Sequence, residues 1–289
     1  DLQTIETLKK YGQVVVKPSD IKNEIKNSSI LIVRSATKVD KNLLEHAQKL
    51  KLIIRAGVGL DNIDLEECKK RSIAVFNTPS SSTNAVAELT IGLMICLLRK
   101  VCYLHKKLIA ENKWEKESAL GEEIESKKLG IIGMGRIGQA VARKALVLGM
   151  KVCYYDKNNK NLEQFEYFED LDELLKSVDI ISIHASVDKT SPKILDKERF
   201  SKIKKGAYLL NLSRGYAIDE KELERALQDG RIAAAALDVF ENEPYDGPLK
   251  KLDNVILTPH IGASTLQAQQ KIGKEIIEII ENNLEIFEK

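Results

Sequence analysis

Three short polar runs, each following an apolar one, hold residue types suited to proton transfer beside a bound carboxylate. They are Asn211-Leu212-Ser213-Arg214-Gly215, Asp238-Val239-Phe240-Glu241-Asn242-Glu243-Pro244 and Thr258-Pro259-His260-Ile261-Gly262-Ala263-Ser264. His260 is the natural proton acceptor at neutral pH. A carboxylate beside it would orient the imidazole and favour its charged form. The Arg214 guanidinium offers a planar fork that matches a substrate carboxylate. Any one of these residues could be only a cap or an ion-pair partner, but Arg, Glu and His at consecutive strand ends make a chemically coherent set. The other histidines, His46, His105 and His184, sit in helices or at a strand end without such partners and read as structural. No His/Cys/Asp cluster has metal-ligand spacing, so no metal is expected.

A further stretch, Lys128-Leu129-Gly130-Ile131-Ile132-Gly133-Met134-Gly135-Arg136-Ile137-Gly138, joins a short apolar strand to a helix-forming run from Gln139 to Leu148. In its Gly-x-Gly-x-x-Gly, Gly133 allows a tight turn and Gly135 lets the backbone approach a pyrophosphate. Gly138 lets the helix pack closely on the strand. The free N–H groups and positive dipole of the helix start favour a phosphate anion. The glycines alone match many ordinary turns. Here a second strand, Lys151 to Tyr155, ends on Asp156, eighteen residues after Gly138. An acid there accepts hydrogen bonds from an adenosine ribose and repels a 2′-phosphate. NAD is therefore expected over NADP, with the adjacent Lys157 softening the preference.

These residues need elements to position them. Residues 2–10 read as a helix and Gln13–Val16 as a short strand. The apolar runs Ile30–Val33, Leu52–Ile54 and Ile73–Phe76 read as buried parallel strands. Between them Asp40 caps a helix through Leu50, and Asp64 with Glu67 forms a capping box. A second set of strands covers 130–132, 152–155, 180–183, 208–211, 235–238 and 255–257, with a helix from Asp219, boxed by Glu222, to a stop at Gly230. This alternation predicts an α/β protein of two doubly wound parallel-sheet domains, with ligands at the carboxyl ends of the strands. Asn77–Ser82 reads as the linker. Residues 84–104 read as one long helix, apolar nearly all round, which needs burial on most sides. Burial inside one subunit or against a second copy would satisfy it; a homodimer through this helix is the expectation, because Leu93, Met94, Leu97 and Leu98 would otherwise face water. The tail from Ser264 reads as one helix packing back on the first domain.

The 289 residues suffice for two cores. With 45 basic against 43 acidic residues and no long block of one sign, neither nucleic-acid nor membrane binding is expected. Cys68, Cys96, Cys102 and Cys153 form no Cys-x-x-Cys pair and read as reduced, mostly buried thiols of a cytoplasmic protein. The longest uncharged apolar run, Leu89 to Leu98, is half a membrane span, and the first residues do not resemble a signal peptide. The chain starts without Met and opens on a helix, which leaves room for a preceding strand.

Together these runs, with Val33-Arg34-Ser35-Ala36-Thr37, Arg55-Ala56-Gly57-Val58-Gly59-Leu60-Asp61-Asn62, Asn77-Thr78-Pro79 and Ala87-Glu88-Leu89-Thr90, resemble the D-isomer-specific 2-hydroxyacid dehydrogenase family over essentially the whole chain. The resemblance implies a Rossmann-like and a flavodoxin-like domain with a cleft between them. It implies a substrate-binding domain over 1–80, an NAD-binding domain over 81–263, and a helix over 264–289 returning to the first. It makes Arg214, Glu243 and His260 catalytic, reversibly oxidising a small 2-hydroxy acid. The cofactor site it implies comprises Gly133, Gly135, Arg136, Ile137, Gly138, Asp156, Ala185, Leu212, Ser213, Asp238, Gly262 and Ala263, with Asp238 facing the nicotinamide amide. Val58 and Gly59, in the loop around Gly57, would hold the substrate carboxylate through backbone N–H groups. Within the family the likeness is greatest to members acting on D-3-phosphoglycerate, for which Arg34, Arg55 and Lys116 are the candidate phosphate cations. Reductases of glyoxylate, hydroxypyruvate or D-lactate would share every catalytic residue, and a silent dinucleotide-binding regulator would keep only the cofactor site. Phosphoglycerate-acting members often carry a C-terminal ACT domain; this sequence ends after one helix, so feedback through such a domain is not expected.

Overall fold

The computed structural model describes residues 2–287. The outermost ends of the expected first and last segments, Asp1 and residues 288–289, lie outside the described residues. The chain divides into two compact units, Asp1–Thr83 with Ala263–Lys289, and Asn84–Gly262.

The smaller unit holds a parallel sheet of β1 (Ile30–Val33), β2 (Leu52–Arg55) and β3 (Ala74–Asn77), in consecutive order. Leu52, Ile53 and Ile54 of the central strand are fully buried, because apolar groups cover both faces. Ile53 packs with Ile25, Val33 and Leu44 on one side. On the other, Leu52 and Ile54 meet Ile272, Ile276 and Ile280 of the helix Leu266–Glu281. Thr265 caps that helix by accepting the Ala268 N–H at 3.1 Å. A short 3-10 turn, Leu284–Phe287, follows it.

Several local expectations are corrected here. Gln13–Val16 is irregular, with Val15 and Val16 about half exposed; so short a run needs a neighbouring strand to satisfy its backbone, and the small sheet winds in one direction without it. The first helix ends at Leu8. The helix capped by Asp40 stops at Leu44 instead of Leu50. Asp64 does cap its helix, accepting the Glu67 N–H at 2.9 Å, but Glu67 does not complete the box: its carboxylate pairs with Arg71 one turn on, at 2.8 Å. Glu222 likewise turns to Arg225, while Asp219 caps.

The larger unit is built on seven parallel strands: β4 (Lys128–Ile132), β5 (Lys151–Tyr155), β6 (Glu166–Tyr167), β7 (Ile180–Ile183), β8 (Ala207–Asn211), β9 (Ile232–Leu237) and β10 (Val255–Leu257). Their order is β10-β9-β8-β7-β4-β5-β6. The two-residue β6 was not expected; it is too short to carry an apolar pattern. Strand order reverses between β4 and β7, and a doubly wound sheet binds ligands at the carboxyl ends flanking such a reversal. One face of the sheet buries Leu129, Ile131 and Tyr154 with the helix Arg136–Val147. The other buries Ile181, Ile183 and Leu209 under Leu174, Phe200 and Leu223.

The long helix expected over 84–104 is two helices, Thr83–Leu98 and Val101–Ala110, broken where Lys100 takes φ 53°. Leu93, Met94, Leu97 and Leu98 are buried in their own unit, in one cluster with Leu129 and Ile131. Their burial needs no partner, so these four side chains do not call for a second copy, contrary to the expectation from the sequence. Cys68 and Cys153 are buried, and burial pushes their thiols up to about 11 and about 12; Cys102, by contrast, is exposed. Among the described residues no helix is long and apolar enough to cross a membrane.

Candidate active site

The glycine turn sits at the reversal point. Register pairs Ile132 with Ile183, which sets Gly133 beside His184 and Ala185. Gly133 has φ +94°, and a Cβ there would meet the Ala185 backbone at 2.5 Å. On Gly138 a Cβ would lie 2.2 Å from the Gly133 carbonyl oxygen, so the helix crosses the strand end as closely as backbone allows. Gly135, which precedes the helix Arg136–Val147, differs: nothing lies within 4 Å of its missing Cβ. Open space over a glycine at a helix N-terminus fits a pyrophosphate. Arg136 is exposed on the first turn, and Ile137 is partly buried against the core.

Asp156, just past β5, turns its carboxylate toward this turn: Oδ2 accepts the Met134 N–H at 2.8 Å. Its other oxygen meets Lys160 Nζ at 3.2 Å. Lys160, not Lys157, is the cation paired with the acid, a contact that i,i+4 spacing beyond a strand end does not announce. These groups fit the adenosine and pyrophosphate of a dinucleotide.

Toward the other edge, three strand ends carry the polar set. Asn211 closes β8 and is fully buried. It donates to the Arg214 carbonyl at 2.9 Å and accepts from the Ser213 N–H and hydroxyl at 3.1 and 2.9 Å. The turn bearing Arg214 is thereby locked, with the buried Leu212 beneath it. A Cβ on Gly215 would lie 1.9 Å from the Phe240 carbonyl carbon, so this turn rests directly on the loop after β9. In that loop the Phe240 N–H donates to Glu243 Oε1 at 3.1 Å, and Glu243 Oε2 lies 2.8 Å from His260 Nδ1. Burial pushes the Glu243 carboxyl up. The hydrogen bond and charge of His260, the Phe240 N–H and the Arg214 charge outweigh it and hold the group below the usual carboxylate range. His260 itself has φ +53°.

Asp238 does not point outward. It is 1% exposed, and its carboxylate accepts from Thr258 Oγ1, Ile261 N and Gly262 N at 2.6, 2.8 and 2.8 Å. Asn211 and Thr258 were not singled out by residue type; the signal was a polar residue closing each of two apolar strands. His184 is held neutral, pushed down to about 4 by burial, and shares a 2.8 Å hydrogen bond with Ser182. His46 bonds the Asn42 carbonyl on a helical turn. Among the described residues no group of three His, Cys, Asp or Glu is placed to hold a metal ion.

The expected substrate residues fall mostly in the smaller unit. Arg34 follows β1 with its side chain exposed, and Arg55 ends β2, its register partner being Val33. The Arg55 guanidinium lies over Gly57, which has φ +140° and whose missing Cβ leaves the space that Arg55 Nη1 occupies. Asn77 donates to the Val58 carbonyl, fixing the loop that leads to Gly59. Lys116 is exposed in the larger unit, before the 3-10 turn Glu117–Ala119. Ala263 belongs to the smaller unit, where its carbonyl accepts from Gln269 at 2.9 Å.

Residues 91–262 match the family described as D-isomer specific 2-hydroxyacid dehydrogenase, NAD binding domain. A hydroxypyruvate reductase of Thermotoga maritima is 43% identical, over 89% of this chain and 85% of its own length. A D-3-phosphoglycerate dehydrogenase of Methanocaldococcus jannaschii is also 43% identical, over 97% of this chain; the chain spans 55% of that protein's length. The crystal structure of D-lactate dehydrogenase from Aquifex aeolicus, complexed with NAD and lactic acid, superposes with a TM-score of 0.83 at 33% identity, covering 98% of this chain and 93% of that one.

Proposed function

Because the chain belongs to the D-isomer specific 2-hydroxyacid dehydrogenases, with NAD as cofactor, we propose that it oxidises D-3-phosphoglycerate reversibly to 3-phosphohydroxypyruvate, the step that opens the phosphorylated route to serine. The observation that carries the chemistry is the His260 Nδ1–Glu243 Oε2 contact of 2.8 Å, beside the turn that bears Arg214. Bound NAD supplies the hydride acceptor. Arg214 grips the substrate carboxylate and the C2 oxygen with two parallel donors. His260 takes the 2-hydroxyl proton at Nε2, the nitrogen that Glu243 leaves open, and the Glu243 carboxylate stabilises the resulting imidazolium. In reduction the same nitrogen returns the proton. The Val58 and Gly59 N–H groups are assigned to the substrate carboxylate, and Arg34, Arg55 and Lys116 to the phosphate. Asp156 is assigned to the adenosine ribose.

The exposed Arg34 side chain at the end of β1 supports the phosphate reading, as does the identity with the Methanocaldococcus dehydrogenase. A second reading, reduction of hydroxypyruvate, is favoured by the Thermotoga relative, which is as similar and is matched over most of its length. A panel of kcat/KM values separates the two. Charge-assisted bonds to a phosphate are worth about 1.5–3 kcal/mol each, so D-glycerate should turn over at least ~10-fold less efficiently than its phosphate. Arg34→Ala should erase most of that gap. Faster reduction of hydroxypyruvate, glyoxylate or pyruvate than of phosphohydroxypyruvate would defeat the phosphoglycerate reading, and no turnover of any would favour a silent regulator. We further propose a homodimer, formed through the apolar residues that the second helix and the segment after it leave exposed: Val101, Leu108, Ile109, Trp114 and Leu120. Sedimentation as a monomer at micromolar concentration would refute it.

A further inference from the structure

We infer that Asp238 is the positioning residue of the acid–base pair: its carboxylate holds the loop on which His260 turns toward Glu243. The inference rests on the roles assigned above to His260 and Glu243. Three donors converge on this one side chain. Thr258 stands two residues before His260, and Ile261 and Gly262 follow it directly, so the bonds of 2.6, 2.8 and 2.8 Å bracket the histidine. His260 has φ +53°, in the left-handed region that residues with a side chain adopt uncommonly. The other backbone ties of the loop are few: Thr258 N–H to the Leu237 carbonyl at 3.0 Å and His260 N–H to the Thr258 carbonyl at 2.9 Å.

The partner chemistry is specific to a carboxylate. Both oxygens face N–H or O–H donors, and an amide would set its own NH2 against one of them. The approach also needs Gly262, because a Cβ there would sit 3.1 Å from Asp238 Oδ2 and 3.1 Å from Val86 Cγ2. With three of roughly four acceptor positions taken, most of the hydrogen-bonding capacity of Asp238 is spent on the loop. At 1% exposure it is also shielded from water that could compete for those donors.

Thr258→Val tests this, since it keeps size and every charge and removes one donor; Thr258→Ser restores the hydroxyl, and Asp238→Asn removes the carboxylate itself. The decisive readout is the pair of His260 ring 15N shifts, measured without cofactor at a pH where the ring is neutral and assigned with His260→Gln. In the parent protein the proton should sit on Nδ1, facing Glu243. In Thr258→Val and Asp238→Asn the shifts should move toward the mixture of a free imidazole. General acid–base catalysis typically supplies 10²–10⁴-fold, so kcat should fall about tenfold in Thr258→Val and about a hundredfold in Asp238→Asn. KM for NAD in Thr258→Val should stay within about twofold of the parent, since every charge remains, and Thr258→Ser should recover kcat. An unchanged tautomer in both variants, a loss confined to NAD binding, or a parent ring already in the free mixture would overturn the inference. If the parent oxidises no 2-hydroxy acid, the functional reading falls, and the nitrogen shifts still decide this one.

Discussion

Cofactor choice can be worked from the contacts of Asp156. A 2′-phosphate seated where a ribose hydroxyl meets this carboxylate would lie about 4 Å from it. At an effective dielectric constant of ~20, suited to a side chain 17% exposed, two unit charges at that distance repel by about 4 kcal/mol. Alone, this would favour NAD about 10³-fold. Lys160 Nζ, however, is 3.2 Å from the same carboxylate and so roughly 7 Å from such a phosphate, an attraction of about 2.4 kcal/mol on the same scale. The net preference for NAD is then about 2 kcal/mol, or roughly 30-fold in kcat/KM. Two variants separate the charges. Lys160→Ala should raise the NAD preference toward ~10³-fold, and Asp156→Asn, which keeps an acceptor for the Met134 N–H, should reverse it in favour of NADP by roughly 50-fold. The assay is kcat/KM with each cofactor at fixed substrate and ionic strength, because salt screens exposed charge. Equal efficiency in the parent protein would refute the reasoning, and an unchanged ratio in Lys160→Ala would return the softening role to Lys157.

His260→Ala should cost about 10²–10⁴-fold in kcat with little change in NAD affinity by fluorescence titration; a smaller loss would remove His260 from proton transfer. Arg214→Lys should be severe in kcat/KM, since an ammonium cannot reproduce the two-pronged grip, and alternative carboxylates should lose in parallel. In Glu243→Gln the charged imidazole loses the carboxylate that stabilises it, so the oxidation limb of the pH–rate profile should move to lower pH; the pair forms only where Glu243 is ionised, below the ordinary carboxylate range and upward. An unmoved profile would discount that role. Gly138→Ala places a Cβ 2.2 Å from the Gly133 carbonyl oxygen, an overpacking that typically costs about 1–3 kcal/mol; the melting temperature and its rise with added NAD should both fall.

The sequence by itself determined the parts governed by local chemistry. Gly133 must turn with φ +94°, and Gly138 must let the helix touch the strand, because any side chain meets backbone there; such constraints are written in residue type and spacing. The buried strands were legible for the same reason, since unbroken runs such as Leu52–Ile54 have no polar face to show water. Tertiary structure decided the rest. Nothing in Asp238, Glu241 and Glu243 as residue types says that Glu243 meets the imidazole while Asp238 turns inward to backbone N–H groups. That choice follows from the register of β8, β9 and β10, which brings together loops that start twenty or more residues apart in the chain. Nor do Arg99 and Lys100, neither a glycine nor a proline, announce that the helix breaks at them, between Leu98 and Val101. An apolar helix states that it must be buried, but not by what. Only the packing shows that Leu93, Met94, Leu97 and Leu98 find their cover in the sheet of their own unit, because burial is set by which surfaces meet and not by the residues of one surface alone.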